Sequence, residues 1–126
     1  MKTTAGKDRL IPIHSKIRYL VKSRYDEAQS LNSDYLFNCT DAMKSGKFLS
    51  YDKYAVRFRK AMSILELDSR HRPHDPRKTF VSMANESEVN EHVIKLLIGH
   101  SDKDITEKTY TDRSIENLKK EIEKIN

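Results

Sequence analysis

The sequence predicts a mainly α fold with a small β-hairpin and short strands, an α+β class in which helices dominate. Three observations carry this. Apolar residues recur at three- and four-residue spacing along five or six stretches. Serine, aspartate or glycine stands where those stretches start or stop. β-prone residues are confined to short runs such as Leu10-Ile11-Pro12-Ile13 and Tyr35-Leu36-Phe37.

Taken in order, Ala5-Gly6-Lys7-Asp8 is a turn signal, and Leu10–Ile13 follows it as a short strand. Pro12 confines that strand to an edge or an end, because proline cannot donate to a ladder. The piece reads as the second half of a hairpin, and it predicts a chain cut just upstream. Ser15 is placed to cap a helix over roughly residues 16–31, with Ile17, Leu20, Val21, Ala28 and Leu31 on its apolar stripe. Tyr35–Phe37 is a candidate edge strand, and Lys44-Ser45-Gly46-Lys47 a loop. Ser50 caps a helix over roughly 51–66, whose face is Tyr51, Tyr54, Ala55, Phe58, Met62 and Leu65.

Asp75 is placed as N-cap with Pro76 at the first helical position, where the missing N–H costs nothing. That helix is expected to reach Met83 or Ala84. Ser87 then caps a helix over about 88–98, striped by Val89, Val93, Leu96 and Leu97 and stopped by Gly99. Asp102 or Asp104 opens a short helix toward Tyr110. Ser114 caps a last amphipathic helix with Ile115, Leu118, Ile122 and Ile125 on one stripe. An isolated helix of about twelve residues is marginal in water. The stripe therefore needs a groove, either on its own domain or on a neighbouring protomer.

At 126 residues the chain is expected to be one domain with its own core. Hydrophobic residues make up 37% and charged residues 34%, which keeps it outside the disordered range. Cys39 is the only cysteine, so neither a disulfide framework nor a cysteine-based zinc site can be built. No apolar run is long enough to span a membrane, and no signal peptide opens the chain. The net charge of +5 is unevenly spread. Residues 1–78 hold 17 Lys and Arg against 9 Asp and Glu, whereas residues 79–126 hold 7 against 10. A basic first part points to a polyanion.

The chemistry concentrates between His74 and Tyr110. The stretch holds His74-Asp75-Pro76-Arg77, then Leu97-Ile98-Gly99-His100-Ser101, then Lys108-Thr109-Tyr110-Thr111. A guanidinium grips two phosphate oxygens at once, with a geometry lysine cannot match. Imidazoles carry protons, and a phenol can act as nucleophile if its proton has an acceptor. Arg77 falls in the first turn of its helix, where free N–H groups and the dipole also favour phosphate. If residues 100–110 ran as one straight helix, Tyr110 would lie roughly 15 Å from His100. Ser101-Asp102 gives the chain room to turn back. Taken singly, each of these residues has an ordinary structural use; the ordered set is the specific signal.

That set resembles the C-terminal catalytic domain of the tyrosine recombinases, the phage-integrase family, over nearly the whole chain. The family's histidine, two residues, arginine motif is His74-Asp75-Pro76-Arg77. Its leucine-glycine-histidine box looks like Leu97–Ser101, and its nucleophile box looks like Thr106–Thr111. Its β-hairpin lysine looks like Lys2, with Lys7 the second choice.

The resemblance implies that Tyr110 forms a 3′-phosphotyrosine bond with DNA. It implies that Arg77 and His100 hold the scissile phosphate, that His74 assists, and that Lys2 protonates the leaving 5′ oxygen. Lys7, Arg9 and Lys78 are the candidate DNA contacts. A phosphotyrosine ester conserves the energy of the broken bond, so no cofactor is implied. Double-stranded DNA is the expected partner, with further protomers docking through residues 114–126, and no membrane is involved. A bacterial cytoplasmic location, on the nucleoid when DNA is bound, goes with this.

The sequence departs from the family pattern in three ways. No residue corresponds to the first catalytic arginine. The core-binding and arm-binding domains have no counterpart. Pro76 and Lys78 stand where many members have an apolar residue and a second histidine. The first two predict that these 126 residues alone are inactive. Two other classes compete: a helix-turn-helix regulator using residues 79–100 as its reader, and a metal-free nuclease that hydrolyses the DNA instead of keeping a covalent link.

Overall fold

A computed structural model describes residues 9–39, 41, 43, 45–100 and 114–126. Among these, the architecture is helical. The α-helices are α1 (Arg18–Ser30), α2 (Tyr51–Ile64), α3 (Asp75–Glu86), α4 (Glu91–Ile98) and α5 (Ile115–Ile122), with a 3₁₀ turn at Ser15–Ile17. The mainly α expectation holds. The only β pairing among the described residues is an isolated bridge between Asn38 and Phe48. The Tyr35–Phe37 strand is thus reduced to a single bridge one residue later. Leu10–Ile13 forms no strand, and the turn and first strand expected before it lie outside the described residues. The expected short helix toward Tyr110 lies outside them as well.

The chain divides into two compact units, one of residues 1–17 and 76–126, the other of residues 18–75. The first holds the main core. Ala84 of α3, Val89, and Val93, Ile94 and Leu97 of α4 bury against Leu118 and Ile122 of α5, with Phe80, Val81, Leu96 and Ile125 packed around them. Spacing of three and four places these side chains on one face of each helix, which is why the stripe closes into a cluster.

Boundaries in this unit follow local chemistry. α3 runs on to Glu86. Glu88 then takes a positive φ of 56°, which ends helical progress. The cap of α4 is Asn90, not the expected Ser87. The Asn90 side-chain oxygen accepts from the His92 and Val93 N–H groups, at 2.9 and 3.4 Å. α4 stops at Gly99, which adopts φ 73° as expected. Ser114 caps α5 as expected, accepting from the Asn117 N–H at 3.2 Å.

Of the two grooves open to the stripe of residues 114–126, its own domain or a neighbouring protomer, the described residues show the first. The α5 stripe is part of its own unit's core, with Leu118 and Ile122 buried. Polar contacts fasten it further. Glu121 accepts from the Asn90 N–H at 2.8 Å and from Lys124 Nζ at 3.0 Å. The Ser15 N–H and Oγ both donate to the Glu123 carboxylate at 2.7 Å. His14 Nε2 donates to the Ile125 carbonyl at 2.8 Å, while Nδ1 accepts from the Lys16 N–H at 3.0 Å, which fixes the tautomer. Ser15 therefore serves α5 and donates, whereas a cap for the following helix would accept.

The unit of residues 18–75 is built from α1, α2 and the loop between them. Ser50 caps α2 as expected, accepting from the Lys53 N–H at 3.4 Å. In the loop, the Cys39 N–H bonds Lys47 O at 2.7 Å and the Gly46 N–H bonds Cys39 O at 3.1 Å. Gly46 takes φ 79°, a conformation side chains rarely adopt. Its buried residues among those described are Ala28, Asn38, Cys39 and Ala55. Much of the α1 and α2 stripes stays at the surface, including Leu20, Tyr51 and Leu65.

Candidate functional site

Arg77 and His100 belong to the same unit, and the structure relates them through the backbone. Arg77 lies in the first turn of α3 and is half-buried. Its Nη2 donates a hydrogen bond to the carbonyl of Ile98, the last residue of α4. His100 follows two residues later, exposed, with its N–H bonded to Lys95 O at 3.0 Å. The guanidinium is therefore held against the turn from which His100 projects. A bond to the end of α4 also sets the cation at the negative end of that helix dipole. One guanidinium carries five N–H donors, so a single anchoring bond leaves capacity for an anion.

The remaining candidates are placed as follows. His74 is exposed and belongs to the unit of residues 18–75. The same unit carries the basic connector ahead of it. Arg70 clasps Asp68 at 2.5–3.0 Å, holding that carboxyl below its usual range. His71 Nδ1 lies 3.4 Å from Asp75 Oδ2, which also accepts from the Arg72 N–H at 2.9 Å. The Asp75 carboxylate thus reaches back into the connector. Arg9 and Lys78 are exposed. Tyr110, Lys2 and Lys7 lie outside the described residues.

The group that sequence reading missed is the Ile98 carbonyl. It is a backbone acceptor and carries no side-chain signature, so no pattern of residue types announces it. The indirect signal was Gly99, whose helix stop leaves the last carbonyls of α4 in need of partners.

These features define a mainly helical domain with an arginine fixed at a helix end beside a histidine. Residues 1–117 match the model of the phage integrase family, and the chain belongs to that family. It is a domain of tyrosine-recombinase type, and the family acts on DNA. No curated protein and no solved structure matches the chain. No helix among the described residues is long and apolar enough to cross a membrane.

Proposed function

We propose that this chain is the catalytic part of a site-specific DNA recombinase that cuts and rejoins strands through a 3′-phosphotyrosine intermediate. The observation that carries this reading is the anchoring of Arg77 on the turn that ends at His100, in a chain of the integrase family. The Tyr110 phenolic oxygen attacks the scissile phosphorus as His74 takes up its proton. The bond from phosphorus to the 5′ oxygen breaks, and that oxygen receives a proton from Lys2. Arg77 and His100 meet the charge that develops on the non-bridging oxygens, and His74 assists at the phosphate. Rejoining is the same displacement run by a 5′ hydroxyl. Lys7, Arg9 and Lys78 contribute phosphate contacts along the duplex. Further protomers assemble on the same DNA in a bacterial cytoplasm.

The test is a suicide substrate, a nicked duplex carrying the protein's own site, offered to the full-length protein. Tyr110→Phe abolishes the slow-migrating covalent adduct and leaves DNA affinity nearly unchanged. An adduct that survives the substitution sinks the assignment of Tyr110, whereas the absence of any adduct with the unsubstituted protein favours the hydrolytic or purely binding alternatives.

A further inference from the structure

We propose that the C-terminal turn of α4 is a positioning device for Arg77, and that Gly99 is the positioning residue that sets it. The inference rests on the reading of Arg77 as a phosphate ligand given above. It starts from the four carbonyls that every helix leaves without intrahelical partners at its end. In α4 these belong to Lys95, Leu96, Leu97 and Ile98. The Gly99 N–H bonds Leu96 O at 3.2 Å, and the His100 N–H bonds Lys95 O at 3.0 Å. The Ile98 carbonyl takes its bond from Arg77, a residue of another helix.

That division depends on one torsion. Gly99 sits at φ 73° and ψ 32°, in the left-handed region. There the chain wraps back, so that the two N–H groups after the helix reach the carbonyls one turn earlier. A residue with a side chain is strained in this conformation, and asparagine tolerates it better than most. If position 99 relaxed to helical torsions, α4 would run on, an N–H four residues later would compete with Arg77 for the Ile98 carbonyl, and His100 would leave its place.

The chemistry of the anchor favours this role. The partner is a neutral carbonyl, which orients the guanidinium without cancelling the charge that a phosphate would meet. Arg77 is half-buried, so a fixed acceptor limits the orientations its long side chain can sample. A single glycine torsion thereby both keeps the Ile98 carbonyl open to Arg77 and sets the placement of His100.

A double-mutant cycle on the full-length protein tests the device, using single-turnover adduct formation on the nicked duplex and, separately, DNA affinity. Gly99→Ala slows adduct formation roughly tenfold to a hundredfold, the scale of a small misplacement, with DNA affinity nearly unchanged. Gly99→Asn recovers most of that loss. In an Arg77→Ala background, with residual adduct followed over long times, Gly99→Ala has much less effect, because the anchored group is gone. Equal losses with and without Arg77, a parallel loss of DNA affinity, or full rates for Gly99→Ala each overturn the proposal. If Gly99→Ala fails to fold, Gly99→Asn carried through the same cycle decides, a loss confined to the Arg77 background supporting the device. The Tyr110→Phe control separates the two readings. An adduct persisting there overturns the Tyr110 assignment within the proposed function, while an adduct lost there with additive Gly99 effects overturns only the positioning role.

Discussion

The two units draw on the same kind of sequence and reach different degrees of closure. In the unit of residues 1–17 and 76–126, Val93 and Ala84 are 0% exposed, and Leu118 is at 4%. In the unit of residues 18–75, residues of the predicted stripes stay out, Leu20 at 51% exposed, Tyr51 at 69% and Leu65 at 64%. The difference lies in how many helices share a face. α3, α4 and α5 all contribute to one cluster. Within their own unit α1 and α2 have each other and one loop, and the buried apolar residues described there are Ala28, Cys39 and Ala55. Periodicity shows which face of a helix is apolar; whether that face is covered depends on a third element. The anchored Arg77 and the turn carrying His100 belong to the well-packed unit, where a fixed scaffold can hold a reacting geometry.

The comparison is broken most directly by cutting into the closed core. Leu118→Ala removes a buried side chain from α5 and leaves a cavity against α4. It is expected to cost about 2–5 kcal/mol, read by urea unfolding followed with circular dichroism. The same variant tests whether α5 folds onto its own unit. Unchanged stability of the isolated chain would place the α5 stripe on some other surface.

A smaller effect comes from the polar fastening of α5. Burial pushes the Glu121 carboxyl up, but the Asn90 N–H and Lys124 outweigh it, and the net direction is downward. A folded value below the unfolded one stabilises the protein above the unfolded value, about 4.3 for glutamate. That contribution is lost as pH falls through the depressed folded value. Glu121→Gln is expected to cost about 1–2 kcal/mol at neutral pH, the scale of hydrogen bonds to a charged group. It should also flatten the fall in stability below pH ~4. Melting curves from pH 7 to 3 measure both, and an unaltered acid slope would show that Glu121 does not titrate against this fastening.

How much of this was legible follows the same division. Ser50, Ser114 and Gly99 were readable because a cap is a local event, one side chain or one torsion acting within a turn. The start of α4 was not, since Ser87 and Asn90 are both good caps. The choice went to Asn90, whose own N–H binds Glu121, 31 residues away in sequence. Ser15 was misread for a similar reason, its hydroxyl being drawn to Glu123. The order of His74, Arg77 and His100 was visible, but the Ile98 carbonyl that accepts from Arg77 was not. Long-range partners and backbone acceptors leave no mark in local spacing.

The smallest expected effect sharpens the comparison from the other side. Val56 and Ile64 lie on α2 and are largely exposed. Replacing either with lysine removes little buried surface, so no cavity term arises. Lysine forms helix somewhat better than valine or isoleucine. At position 64, the last residue of α2, a cation also meets the negative end of the dipole. Val56→Lys and Ile64→Lys should therefore each change stability by no more than about 0.5 kcal/mol, as surface substitutions usually do. The measurement is the same urea titration used for Leu118→Ala, with both transitions resolved if the units unfold separately. A loss above about 1 kcal/mol from either change would mean that the α2 face is covered in solution. The contrast between the units would then reflect packing that only a larger assembly completes.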